Sequence, residues 1–339
     1  METKKRNKNF YILIGILSLL IIVLFFVSMC VGRYLIPISD VFKYFTFQNI
    51  NSTSSKVIEY LRIPRTLIAI LVGASLSVSG AIYQSTFNNK LVSPDLLGVS
   101  SGASVGACLS ILLGLSAPLI GSASFIFGFI AVILTLLISR SFRNNSNVVL
   151  ILCGLAVGGL MSSLVGLLKY LADDEMKLAE MTFWLLGDIS KVTINDFYIM
   201  LPITIVGCAL AIILSWRLNI ISLGEKESKA LGVNYKINMG LLIVIATTLT
   251  AISVAVSGTI GWIGLVIPNV VRLIIGSNNK KVIPLSILIG SIMMVVVDML
   301  ARSLAPNEIP LSVITGIIGT PIFIVSIYKR RRDLRWTAF

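Results

Sequence analysis

The chain has 339 residues, 56% of them hydrophobic and 13% charged, with a mean hydropathy of +0.95. A soluble domain carries about a quarter charged residues, so this composition excludes a soluble fold and points to an all-α polytopic membrane protein. The net charge of +13 is spread in short basic clusters between apolar runs rather than over one basic surface, which excludes nucleic acid as a partner.

Crossing ~30 Å of hydrocarbon takes about 20 apolar residues, and the chain reads as one transmembrane domain, 1–339, with about ten such spans. A basic tail, residues 1–9, carries Lys4, Lys5, Arg6 and Lys8 ahead of the first span, Phe10–Val31. That run outlasts the roughly 7–15 residues of a signal-peptide core, and Met29 replaces the small residue a lipoprotein cleavage site needs, so it is read as an uncleaved helix. Spans two to six follow at 62–84, 95–114, 118–139, 147–170 and 197–216. The second and third are interrupted by Gly and Ser, as is the eighth, and are expected to face the protein interior, where small residues let backbones approach.

Residues 217–237 interrupt the oily sequence. Leu223-Gly224 and Leu231-Gly232 bracket Glu225, Lys226, Glu227, Lys229 and Ala230, and Glu225 and Lys229 stand four apart as a helical ion pair. The spacing predicts a short surface helix between two glycine turns, either an ordinary interfacial helix or a docking element for a soluble motor. The last four spans lie at 238–256, 259–276, 282–301 and 310–328, ahead of a basic tail at 329–339.

With the amino terminus inside, only Arg33, Lys43, Lys56, Arg62, Arg65, Lys169, Lys177, Lys191 and Arg302 of the 28 basic residues fall outside. Lys90, Arg140, Arg143, Arg217 and Arg272 are among those inside. The positive-inside rule therefore places both termini, and the 217–237 segment, in the cytoplasm. Spans two to five and seven to ten form two four-helix units of inverted topology, an arrangement that builds transport pathways at its interface.

The four cysteines, at positions 30, 108, 153 and 208, lie in apolar runs at unrelated spacings and indicate neither a disulfide framework nor a metal site. There is no histidine, no phosphate-binding G-x-x-x-x-G-K-[ST] loop and no hydrolase elbow, so the chain is not expected to be an enzyme. Asp298 is the acid placed within a span, four residues before Arg302. Such a pair is either a proton relay or, as favoured here, a structural partnership near a helix end.

Arg62-Ile63-Pro64-Arg65-Thr66-Leu67, Leu71-Val72-Gly73-Ala74-Ser75-Leu76 through Ser79-Gly80, Gln84, and Leu97-Gly98-Val99-Ser100-Ser101-Gly102-Ala103 resemble the FecCD family. So do Gly258 to Arg272, Leu285-Ser286, Asp298 to Arg302, Glu308-Ile309-Pro310, Thr315, Gly319 and Pro321. These are permease subunits of binding-protein-dependent ABC importers for iron–siderophores, haem and cobalamin. The resemblance implies an identical or related second permease subunit around a central path, and two ATP-binding cassette subunits gripping a cytoplasmic L-loop. That loop falls here at Leu223, Gly224, Ala230, Leu231 and Gly232. It implies that ATP and magnesium are bound on the ATPase subunits and no cofactor on this chain.

The resemblance further implies that Arg62, Arg65 and Arg302 lie exposed at the outer face. There they would meet carboxylates of an extracytoplasmic substrate-binding lipoprotein or periplasmic protein. A cytoplasmic gate falls at Asn89 and Leu91, where Lys90 departs from the family's usual Asn-Pro-Leu. Asn269 stands where the family commonly has histidine. Ser75, Ser79, Ser100 and Ser101, with Gly73, Ala74, Ser77, Gly102 and Ser104, are candidates to line a small, weakly polar path.

The expected function is import of an iron(III)–siderophore chelate across the bacterial cytoplasmic membrane. Haem or cobalamin import by the same machinery is the alternative, and a secondary transporter driven by an ion gradient is the rival of a different class.

Overall fold

A computed structural model describes residues 2–49, 51–142 and 147–336. Arg143, one of the charges assigned to the inside, and the last residues of the basic tail, 337–339, lie outside the described residues. Among the described residues the secondary structure is helical and without strands, because a backbone in lipid must satisfy its own N–H and C=O groups.

Among the described residues fifteen α-helices run in chain order: α1 Glu2–Cys30, α2 Ile38–Phe45, α3 Ser52–Lys56, α4 Ile63–Thr86, α5 Val99–Leu112, α6 Ala117–Arg140, α7 Asn147–Tyr170 and α8 Glu175–Leu185. They continue as α9 Ile194–Ile213, α10 Ser215–Ile221, α11 Glu225–Ala230, α12 Tyr235–Ser257, α13 Ile263–Ile275, α14 Asn279–Ala301 and α15 Leu311–Trp336. Eight of them supply spans long and apolar enough to cross a membrane, and α5 and α13 are shorter apolar helices. All ten expected spans therefore have a helical counterpart.

The second span is longer than expected. A π-helical turn, Val57–Arg62, joins α3 to α4, so the helix runs without a break from Ser52 to Thr86. Pro64 has no N–H to give the carbonyl of Tyr60, and a widened turn is one way to absorb that loss. By sequence, 32–61 and 171–196 are connections between spans. The structure builds α2, α3 and α8 there, and Met29, Ile36, Val41 and Ile58 pack as a small separate core under α2 and α3.

α4 is the central post. Nearly every residue from Pro64 to Thr86 is buried, and α4 packs on α14, α12, α13 and α9. Its small residues make this possible. A Cβ on Gly73 would be driven into the carbonyl of Gly290, and one on Gly80 into that of Gly264.

The two four-helix units show matching contacts. α4 packs on α13 and α14, while its counterpart α12 packs on α5 and α6; α5 packs on α6 and α7 as α13 packs on α14 and α15. The second helix of each unit is also short. α5 has 14 residues and α13 has 13, about 20 Å each at 1.5 Å per residue. A 3-10 turn, Pro94–Leu97, precedes α5 and irregular chain precedes α13, and each helix starts after a residue of positive φ: Gly98 at φ +79° and Trp262 at φ +71°. The exchange relation between the halves is what an inverted repeat produces.

Candidate coupling and gating site

The face of the bundle that carries the start of α1 and the end of α15 also carries α10 and α11. Gly224 at φ +113° and Gly232 at φ +73° bracket α11, conformations that glycine adopts without a Cβ clash. Ser228 is the buried residue of α11. Its hydroxyl donates to the carbonyls of Gly224 at 2.6 Å and Ile220 at 3.1 Å, and the Val233 amide bonds back to the Ser228 carbonyl at 2.9 Å. Leu218 and Ile221 of α10 are buried in the main core beside it. The segment is thus an ordered knob tied to the bundle, not a loose linker.

Its outer surface is available. Leu223 and Leu231 are 57% and 58% exposed, and Ala230 is exposed between them. Glu225 and Lys229 form the expected ion pair at 2.8 Å, and Lys229 holds the Glu225 carboxyl below its ordinary range by a hydrogen bond and by charge. Two leucines flanking a six-residue helix give a soluble partner apolar anchors, with charges to set register.

On the same face, Phe87–Ser93 connects α4 to α5. Asn88 takes a left-handed φ of +47°, tolerable for asparagine. Asn89 donates its amide N–H to the Gln84 carbonyl at 3.0 Å, and its side-chain oxygen accepts the Leu91 amide at 3.0 Å. Asn89 and Leu91 are both exposed. The two departures from the family pattern meet in space: Asn269 Nδ2 donates to the Lys90 carbonyl at 2.9 Å and to the Leu265 carbonyl at 2.8 Å. Lacking a proline, the turn is closed by two asparagines.

The opposite face differs from expectation. Arg62, Arg65 and Arg302 are not exposed; they are 6%, 7% and 3% accessible. Arg62 donates to the carbonyls of Val31 and Tyr34, holding the end of α1. Arg65 pairs with Asp298 at 2.5 Å and with Glu308 at 2.8 Å. Arg302 lies 3.3 Å from Asp298 and donates to the Ser28 carbonyl at 2.9 Å. Low-dielectric surroundings make unpaired guanidiniums costly, so each is turned inward onto a partner. Only the Glu308 side of the cluster reaches the surface, with that side chain 31% exposed.

Of the serines of the expected path, two lie inside the helix packing and two, Ser100 and Ser101, are half-buried. Ser75 and Ser79 are fully buried: Ser75 bonds Thr204 at 3.1 Å, and Ser79 bonds Thr250 at 2.6 Å. Gly73 and Ser77 pack against α14, and Gly102 against α6. Ser100 and Ser101 sit at the start of α5, where their amides face the Asp95 carboxylate. In this conformation the small residues serve helix packing, because each missing side chain is filled by a neighbouring backbone. A cleft of about 680 Å³ instead opens between α13 and α15, walled by Val270, Leu273, Ile274, Pro321, Ile322 and Val325.

Arg272 was counted among the basic residues of the inner loops. The structure buries it among Gln84, Ser85 and the Ala81 carbonyl. Its place three residues after Asn269 on an apolar helix was the available signal that it points inward.

The pattern of the FecCD transport family matches residues 20–329. The chain belongs to the FecCD family. Among FecCD relatives it is similar to the molybdate import system permease protein MolB of Haemophilus influenzae, 38% identical over 93% of this chain and 95% of that one. It is 34% identical to a probable iron chelatin transport system permease of Helicobacter pylori, over 96% and 99% of the two chains. A solved structure described as an inward-facing conformation of an ABC transporter of metal-chelate type superposes with a TM-score of 0.85 at 37% identity, covering 94% of this chain and 99% of that one. The FecCD chain is thus a multi-pass ABC importer permease, and its work is translocation rather than catalysis.

Proposed function

We propose that this chain carries an iron(III)–siderophore chelate into the bacterial cytoplasm, with both termini and α11 on the cytoplasmic side. ATP and magnesium bind two partner ATPase subunits, whose closure pushes on Leu223–Gly232. A second permease subunit completes the path, and a soluble binding protein delivers the chelate to the opposite face. The observation that carries this reading is α11, an exposed, glycine-bracketed helix anchored to the bundle in a chain with no phosphate-binding motif of its own. Asn89 and Leu91 form part of the cytoplasmic gate, since their exposed turn ends the central helix α4 on that face.

Docking outside involves Arg62, Arg65 and Arg302 through the rim of their cluster. A carboxylate of the binding protein could replace Glu308 on Arg65, a like-for-like exchange of a charge-assisted pair. Replacing Arg62 and Arg65 by glutamate is expected to lower binding-protein-stimulated ATP hydrolysis.

Similarity to a molybdate permease favours a second reading of the cargo, a small oxyanion. Reconstitution in vesicles with its partner ATPase and binding proteins tests both. ATP-dependent uptake of labelled iron(III) chelate is expected; uptake of molybdate, haem or cobalamin alone would reassign the cargo. Uptake by this chain by itself under a proton or sodium gradient would overturn the importer reading. Gly224→Pro, impossible at φ +113°, is expected to uncouple hydrolysis from uptake.

A further inference from the structure

A run of hydrogen bonds, bridged by covalent links at Ile220–Asn219, within Asn279 and within Gln84, joins α11 to the turn at 88–91. It begins at Ser228, whose hydroxyl reaches the Ile220 carbonyl of α10. The preceding residue, Asn219, accepts the Asn279 amide at 2.8 Å and donates to the Asn278 side chain at 2.9 Å, tying α10 to the start of α14. Asn279, 2% exposed, accepts from the Ser85 hydroxyl at 2.9 Å, which carries the run to the end of α4. Ser85 accepts from Arg272 at 3.0 Å, and Arg272 also holds the Gln84 side chain and the Ala81 carbonyl. From there two links reach the turn. The Gln84 carbonyl accepts the Asn89 amide, and Asn269, one helical turn before Arg272, grips the Lys90 carbonyl.

We propose that this relay transmits displacement of α11 to the Asn88–Leu91 turn, with Asn219, Ser85 and Arg272 as positioning residues. The proposal rests on the ATP-driven reading given above. Four separate segments, α10, the start of α14, the end of α4 and α13, share one polar cluster. Around Ser85, Asn279 and Arg272 these bonds are buried, and leaving a buried donor or acceptor unmade costs more than moving the segments together; the Asn219 link to α14 lies nearer the surface. Arg272 makes the cluster stiff, because a guanidinium in apolar surroundings stays charged and keeps its donors on fixed acceptors. The apolar contacts around it can slide; these directional bonds cannot.

The test uses the complete transporter in vesicles with its ATPase and binding-protein partners. Unmodified complex must show ATP-dependent uptake; if it does not, the importer reading fails and the relay with it, a result separate from any variant. In N219L, hydrolysis is expected to stay within about twofold while uptake falls about tenfold, a coupling loss of ordinary allosteric size. N219D is expected to retain uptake, since its carboxylate still accepts the Asn279 amide at the start of α14, where a negative charge is favourable. If N219L does not assemble, S85A, which removes one link and leaves α10 untouched, takes its place with the same expectation. A parallel fall in hydrolysis and uptake, or uptake retained in N219L or S85A, would overturn the relay.

Discussion

Arg65 Nε lies 2.5 Å from Asp298 Oδ1, across 233 residues of sequence. One fully buried carboxylate thereby faces two guanidiniums, since Arg302 approaches it from the next turn of α14. Removing it in Asp298→Ala strands two buried cations and is expected to cost about 3–5 kcal/mol. The thermal midpoint of the detergent-solubilised protein measures this. Glu308→Gln, at the partly exposed edge, is expected to cost about 1 kcal/mol or less. Equal effects from the two variants would contradict the clamp.

The α4–α14 and α4–α13 contacts are backbone against backbone. Gly73→Ala and Gly80→Ala put a methyl where the neighbour is a carbonyl that cannot rotate away, and each is expected to destabilise by about 1–3 kcal/mol or more. Gly15→Ala, where nothing lies within 4 Å, is the matched control and is expected to be neutral or stabilising by up to about 1 kcal/mol. Proteolytic resistance of the three variants ranks them.

Asn269→Leu removes the donor that holds Lys90. A net loss of about 1 kcal/mol is expected, confined to the turn. Amide exchange at Leu91 and Val92 should quicken while α12 and α14 stay protected. Unchanged exchange would mean that the Asn89 side chain holds the turn unaided.

Gly232 has open space around it but a left-handed φ of +73°. Gly232→Ala therefore costs through backbone strain alone, about 1–2 kcal/mol. Fraying of α11 is the expected result, seen as faster tryptic cleavage after Lys226 and Lys229. Cleavage at the unmodified rate would show that α11 does not depend on that glycine.

The α11 segment was legible before any folding because its signals are local: a charged ion-pair spacing between two glycines, set against oily sequence on both sides. The ten spans were legible for the same kind of reason, since a membrane forces each crossing to be long and apolar. The helices α2, α3 and α8 were not, because pieces of five to eleven residues are too short to stand out in a window tuned to crossings. The arginines misled for a different reason. Charge near a span end reads as exposure, yet Arg62 finds its partners just after α1, Arg65 on and after α14, and Arg302 on α1 as well as four residues back at Asp298.

By itself, then, the order of residues determined where the chain crosses the bilayer, which segment protrudes and which family's motifs it carries. Whether a small or charged side chain faces a path, a partner or another helix was decided only by tertiary packing. Ser79 against Thr250 and Arg272 against Gln84 are pairings of segments that no local pattern brings together. Their energies come from burial and hydrogen bonds made after those segments meet.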